Sequence, residues 1–185
     1  MGKLIERGVY GNQVSRWDMD CVLPSSQLHD VGKIGISETV LNKPGRFTRD
    51  EYEYMKTHVW IGVNIIERME ETTGDHNFFY HAKRFVSAHH ERWDGTGYPN
   101  GLRGLDIPLE GRLMAIVDVY DALISARPYK RPLTPTQAAA IIKEGGGTHF
   151  DPKLTDIFCV LSNRFSEIAY ALTAETEELP MPRGA

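Results

Sequence analysis

The chain of 185 residues is long enough for one domain with a sizeable core. Apolar residues make up 41% and charged residues 25%, an ordinary soluble balance with no stretch apolar enough to span a bilayer. The net charge of −4 excludes a general nucleic-acid binder, which needs surplus Lys and Arg, so neither DNA nor RNA is an expected partner.

In chain order, residues 3–7 read as helix, without the apolar run of a secretory leader. A helix is predicted over residues 13–31, bent at Pro24. After the Lys43-Pro44-Gly45 turn, Thr48-Arg49-Asp50-Glu51 forms a capping-box pattern. The helix it opens keeps Tyr52, Met55, Val59 and Ile66 at helical spacing to about Met69. Helices are predicted over 78–90 and 113–125, the second closed by Pro128. Between them, residues 91–112 hold five glycines and two prolines and form a long loop of the kind that is usually functional. Thr134-Pro135-Thr136-Gln137 starts a helix that Gly145-Gly146-Gly147 ends, and Asp151-Pro152 opens the last, to about Leu172. No segment alternates like a strand. The fold class is all-α, with one domain over 1–174 and a flexible tail over 175–185. Cys21 and Cys159 are far apart in sequence and in no ligand spacing, which suits free thiols in a cytoplasmic protein.

The histidines and one aspartate carry the chemistry. His29 stands beside Asp30, His58 lies mid-helix, His89 and His90 are adjacent at a helix end, and Asp118 sits in an apolar helix. A lone mid-helix histidine is more often a core or surface residue than a ligand. A carboxylate within Ala115-Ile116-Val117-Asp118-Val119 is costly unless paired or metal-bound. Together these imidazoles and carboxylates, without thiolates, suit iron, manganese or zinc in sites that leave room for water. On a helix, His29 and Asp30 would diverge by roughly 100° and flank one cavity, the carboxylate bridging two ions. Lys33, three residues on, would share Asp30's face and steady a phosphate oxygen or a leaving group.

Leu28-His29-Asp30-Val31-Gly32-Lys33-Ile34-Gly35-Ile36 resembles the signature of the HD phosphohydrolase superfamily. His89-His90-Glu91-Arg92-Trp93-Asp94-Gly95-Thr96-Gly97-Tyr98-Pro99 narrows the resemblance to the HD-GYP family. Met55-Lys56-Thr57-His58 through Gly62, the run Ala115 to Leu123, and Arg127-Pro128-Tyr129-Lys130 fit it in order. The resemblance implies an HD-domain helical bundle with two divalent metal ions, iron or manganese first, then zinc, nickel or magnesium. It implies hydrolysis of cyclic di-GMP to pGpG, sometimes onward to GMP, by metal-activated water. His29, Asp30, His58, His89, His90 and Asp118 match its metal ligands, with Asp30 and Lys33 catalytic. Lys33, Tyr98, Asp121, Arg127 and Lys130 match substrate-contacting positions, and Gly97, Tyr98 and Pro99 form the naming motif. Trp93 or Tyr98 would stack guanine or pack on the domain. An upstream sensory or receiver domain and a docked diguanylate cyclase domain are the implied partners.

One departure bears on activity. The family's first helix carries a further ligand histidine, preceded by a glutamate in three-metal members, whereas residues 1–28 here contain no histidine. The pattern favours a chain cut inside that helix, with two ions rather than three. The alternatives are an impaired module that binds a cyclic dinucleotide or docks a protein, and a phosphohydrolase for another substrate such as cyclic GMP-AMP.

Overall fold

The computed structural model describes residues 2–125 and 131–177. Ten α-helices are formed among the described residues: α1 (Gly2–Glu6), α2 (Gly11–Val14), α3 (Met19–Ser26), α4 (Glu38–Leu41), α5 (Arg49–Lys56), α6 (His58–Thr73), α7 (His76–Ala88), α8 (Leu109–Ile124), α9 (Pro135–Glu144) and α10 (Pro152–Glu177). Short 3-10 turns lie at Val31–Gly35 and Gly104–Asp106. Among the described residues there is no strand, only an isolated bridge between Gly146 and Phe150, so the all-α expectation holds. None of their helices is long and apolar enough to cross a membrane.

Side-chain caps fix where α5, α7, α9 and α10 begin. Thr48 accepts from Glu51 N and Glu51 answers to Thr48 N at 2.7 Å, completing the capping box of α5. Asp75 caps α7 through Phe78 N, and Thr134 with Gln137 boxes α9. Asp151 caps α10 through Lys153 N and Leu154 N, while its other oxygen takes Arg112 at 2.7 Å and Tyr10 at 2.8 Å. One buried carboxylate thereby ties the start of α10 to α8 and to the turn before α2.

Four boundaries differ from expectation. The helix over 13–31 is interrupted, because Asp18 accepts from Asp20 N and starts α3 afresh. After Ser26 the chain tightens into turns. The helix from Arg49 is broken at Thr57, whose hydroxyl bonds the Tyr54 carbonyl at 2.6 Å and competes with the ladder, so α6 starts anew and runs to Thr73. Helix α8 begins at Leu109, which shortens the 91–112 loop. At the C-terminus, α10 includes residues 175–177 of the expected tail, and 178–185 lie outside the described residues.

Helix α7 is central, packing on α3, α6 and α8. Ile66, Phe79, Ala82 and Val86 make the α6–α7 core. A larger one joins α1, α2, α8, α9 and α10 around Ile116, Ile142, Phe150 and Phe158. The 3-10 turn at Val31–Gly35 lies directly on α6: a methyl on Gly32 would overlap the His58 carbonyl oxygen and come within 2.5 Å of Gly62 N. Only glycine permits that approach.

Ile66 is fully buried in the α6–α7 core. Ile66→Val is expected to cost about 0.5–1.5 kcal/mol and Ile66→Ala about 2–5 kcal/mol. Chemical denaturation checks the order, and equal midpoints would contradict this packing.

Candidate metal centre

His29 and Asp30 stand in the turn after α3, His58 at the first position of α6, and His89 and His90 just past the end of α7. Each place is a helix terminus, where backbone carbonyls lack ladder partners. Three of the histidines use those carbonyls in the same way. His29 Nδ1 lies 3.0 Å from Ser26 O, His58 Nδ1 2.7 Å from Met55 O and His89 Nδ1 2.9 Å from Val86 O. A carbonyl only accepts, so each Nδ1 carries the hydrogen, and in a neutral ring Nε2 keeps a lone pair.

Those lone pairs converge on Asp30. His58 Nε2 is 3.6 Å and His89 Nε2 3.7 Å from Asp30 Oδ1, and the two nitrogens lie 3.5 Å apart. Asp30 Oδ1 is buried and has no hydrogen-bond partner. Acceptors facing acceptors with nothing to donate between them repel, and a cation in their midst reverses the sign of the interaction. This orphaned oxygen shows that the donor set fits a metal ion. His90 completes the group, and ligand atoms of Asp30, His58, His89 and His90 all lie within 4.8 Å of one another. A second group at the same spacing comprises His29, Asp30 and Asp118. Asp30 belongs to both.

Electrostatics agree with this reading for His58, His90 and Asp30, while His29 is biased toward the charged ring. Burial, with His89 and His58 alongside, pushes the His90 imidazole down to about 2, and burial also lowers His58, so both rings stay neutral, as metal ligation requires. Burial would raise Asp30, but His29, His89 and the Lys33 ammonium outweigh it and hold the carboxyl well below the usual carboxylate range. Burial opposes charge on His29 too, yet the hydrogen bond and charge of Asp30 raise that ring above its ordinary value.

Lys33 Nζ meets Asp30 Oδ2 at 2.6 Å. The proximity comes from a 3-10 turn, where positions i and i+3 eclipse, and not from the α-helix expected there. Tyr98 stacks on His90 with centroids 4.6 Å apart at 26°. Gly97 lies against the backbone of the preceding residues, where a methyl would come 2.6 Å from both Glu91 Cα and His90 O. The Tyr98–Pro99 peptide is cis. Asp121 is exposed one turn beyond Asp118, meets Ser125 and belongs to neither donor group. Arg127 and Lys130 lie outside the described residues.

Sequence reasoning missed Glu91. It is buried, and its carboxylate accepts Asn100 N at 2.8 Å and Leu102 N at 3.0 Å, closing the loop that presents Tyr98. Burial raises its pKa, against the pull of those amides. Its only signal was a carboxylate directly after the paired histidines.

The family model for the HD domain matches residues 12–154. A Vibrio cholerae protein named cyclic di-GMP phosphodiesterase is 48% identical over 151 residues, covering 82% of this chain and 31% of its own length. A "probable cyclic di-GMP phosphodiesterase" of the same organism is 43% identical over 167 residues, 90% of this chain and 38% of that protein. Its "3'3'-cGAMP-specific phosphodiesterase 2" is 40% identical over 164 residues, 89% of this chain and 30% of that protein. The chain thus spans about a third of the length of these curated relatives.

Glu91→Ala is expected to cost about 1–3 kcal/mol, because buried amides lose their acceptor, and to loosen residues 94–103. Limited proteolysis checks this. Cleavage there at the wild-type rate would contradict a closing role for Glu91.

Proposed function

The chain belongs to the HD domain family, in its HD-GYP branch, and on that premise we propose that it hydrolyses cyclic di-GMP to linear pGpG, and on to GMP. Two divalent ions, iron or manganese, serve the reaction within a domain over 1–174; zinc, nickel and magnesium are lesser fits to the same donors. The observation that carries the proposal is the pair of donor groups sharing Asp30. Relatives named for this reaction support the choice of substrate. The implied partners are an upstream sensory or receiver domain and a diguanylate cyclase domain, in the cytoplasm.

When bound, the ions supply Lewis acidity toward a phosphate oxygen and acidify water. The residues supply placement. Asp30 holds one oxygen toward His58 and His89 and the other toward His29 and Lys33. His58, His89 and His90 would hold one ion and His29 and Asp118 the other, with Asp30 common to both groups. Among the described residues the second group has three protein donors, which would leave room for water and phosphate. Lys33, half exposed beside Asp30, is placed to pair with a phosphate oxygen or the leaving ribose oxygen as charge develops.

The second reading keeps the chemistry and changes the bases, since a relative 40% identical is named for 3'3'-cGAMP.

Supplied with manganese or ferrous iron, the wild-type chain is expected to retain two ions through dialysis and to release pGpG. Asp118→Ala should keep only the ion of the four-residue group, His90→Ala should weaken that ion, and Asp30→Ala should keep neither and lose turnover. Elemental analysis and product chromatography read these outcomes. Two ions retained by Asp30→Ala would sink the shared-carboxylate arrangement.

A further inference from the structure

A cleft of about 250 Å³ opens beside the metal centre, lined by Glu53, Lys56, Thr57, Trp60, Tyr98 and Pro99. We propose that this cleft is a purine subsite, with Trp60 as the stacking face and Glu53 as the reader of a guanine edge. The inference rests on the cyclic-dinucleotide reading above and names the residues that would choose the base.

Four observations carry it. First, Trp60 is half exposed although it lies only two residues beyond the buried His58, so a large flat apolar face meets solvent at the rim of the site. Stacking on such a face is how single-stranded bases are held without regard to sequence. Second, Lys56 and Tyr98 give the cleft a second, fixed wall. The Lys56 ammonium lies 5.5 Å from the Tyr98 ring centroid and 4.8 Å from that of Tyr52. Third, Glu53 Oε1 is held by Lys56 Nζ at 2.8 Å, while the carboxylate is otherwise exposed at the cleft. The Watson–Crick edge of guanine presents two adjacent N–H donors, which suit a carboxylate's paired oxygens; adenine presents an acceptor beside one donor and would set a lone pair against it. Fourth, Tyr98 is shared: it lines the cleft and stacks on His90. A base in the cleft therefore lies one side chain from the donor groups, and a ribose separates base from phosphate in the substrate.

The test uses calorimetry on the calcium-loaded chain with cyclic di-GMP and cyclic di-AMP, and steady-state hydrolysis of cyclic di-GMP with manganese. Trp60→Ala should weaken cyclic di-GMP binding about ten-fold or more and raise KM in step, while Trp60→Phe, which keeps a ring, should retain most of the affinity. Glu53→Gln should erase most of the preference for cyclic di-GMP over cyclic di-AMP. Both positions are exposed enough for the variants to fold, and unchanged melting confirms that. Wild-type affinities and KM in Trp60→Ala and Glu53→Gln would overturn the subsite, even with pGpG produced. Binding that depends on Trp60 and Glu53 without any pGpG would support the subsite and overturn the hydrolytic reading instead.

Discussion

Everything at the centre of this molecule follows from one carboxylate oxygen, Asp30 Oδ1, that faces acceptors and has no donor of its own. Asp30 turns one oxygen to two imidazole nitrogens that offer lone pairs and the other to His29 and Lys33. Buried acceptors without donors are costly in a low-dielectric interior. The side chains would splay apart if they were free to do so. That they converge within 4.8 Å means the backbone holds them there, and the rest of the architecture is the means of holding them.

The holding device is the helix end. A helix leaves its last carbonyls without partners, and a histidine there can donate Nδ1–H to one of them three residues back. His29, His58 and His89 all do so, although they stand on different segments. The bond fixes tautomer and ring direction together, so Nε2 faces inward before any ion arrives. The break at Thr57 acquires a purpose in this light. An unbroken helix would engage the Met55 carbonyl in its ladder, and His58 would lose its anchor. Gly32 supplies the other constraint by bringing the turn that carries Asp30 onto the backbone of α6 at His58 and Gly62.

The sequence makes local features legible and hides those set by contact. Thr48 with Glu51, Thr134 with Gln137, and Asp151 announce helix starts because a cap is chemistry within four residues, and all three form. The donor residues are legible as types: few other reasons place His-Asp, His-His and a lone aspartate in an apolar run. Their grouping is not, since it depends on α6, α7 and α8 meeting across long separations. The turns around His29 were read as helix because periodicity cannot tell an α-helix from a 3-10 turn over five residues. Glu91 escaped for a similar reason, as its amide partners lie nine and eleven residues on.

A division of labour follows from the geometry. Under the proposed activity the phosphodiester is the same in every cyclic dinucleotide, so side chains that grip it would be indifferent to the bases. Discrimination would then have to come from side chains a ribose away, outside the two donor groups. Tyr98 joins the two regions, stacked on His90 and lining the cleft that Trp60 bounds. It is itself placed by the loop that Glu91 closes and by the tight seat of Gly97. A base settling against Tyr98 would therefore press on the ring of His90, a member of the four-residue donor group, and would make recognition of the base and alignment of the phosphate parts of one rigid stack.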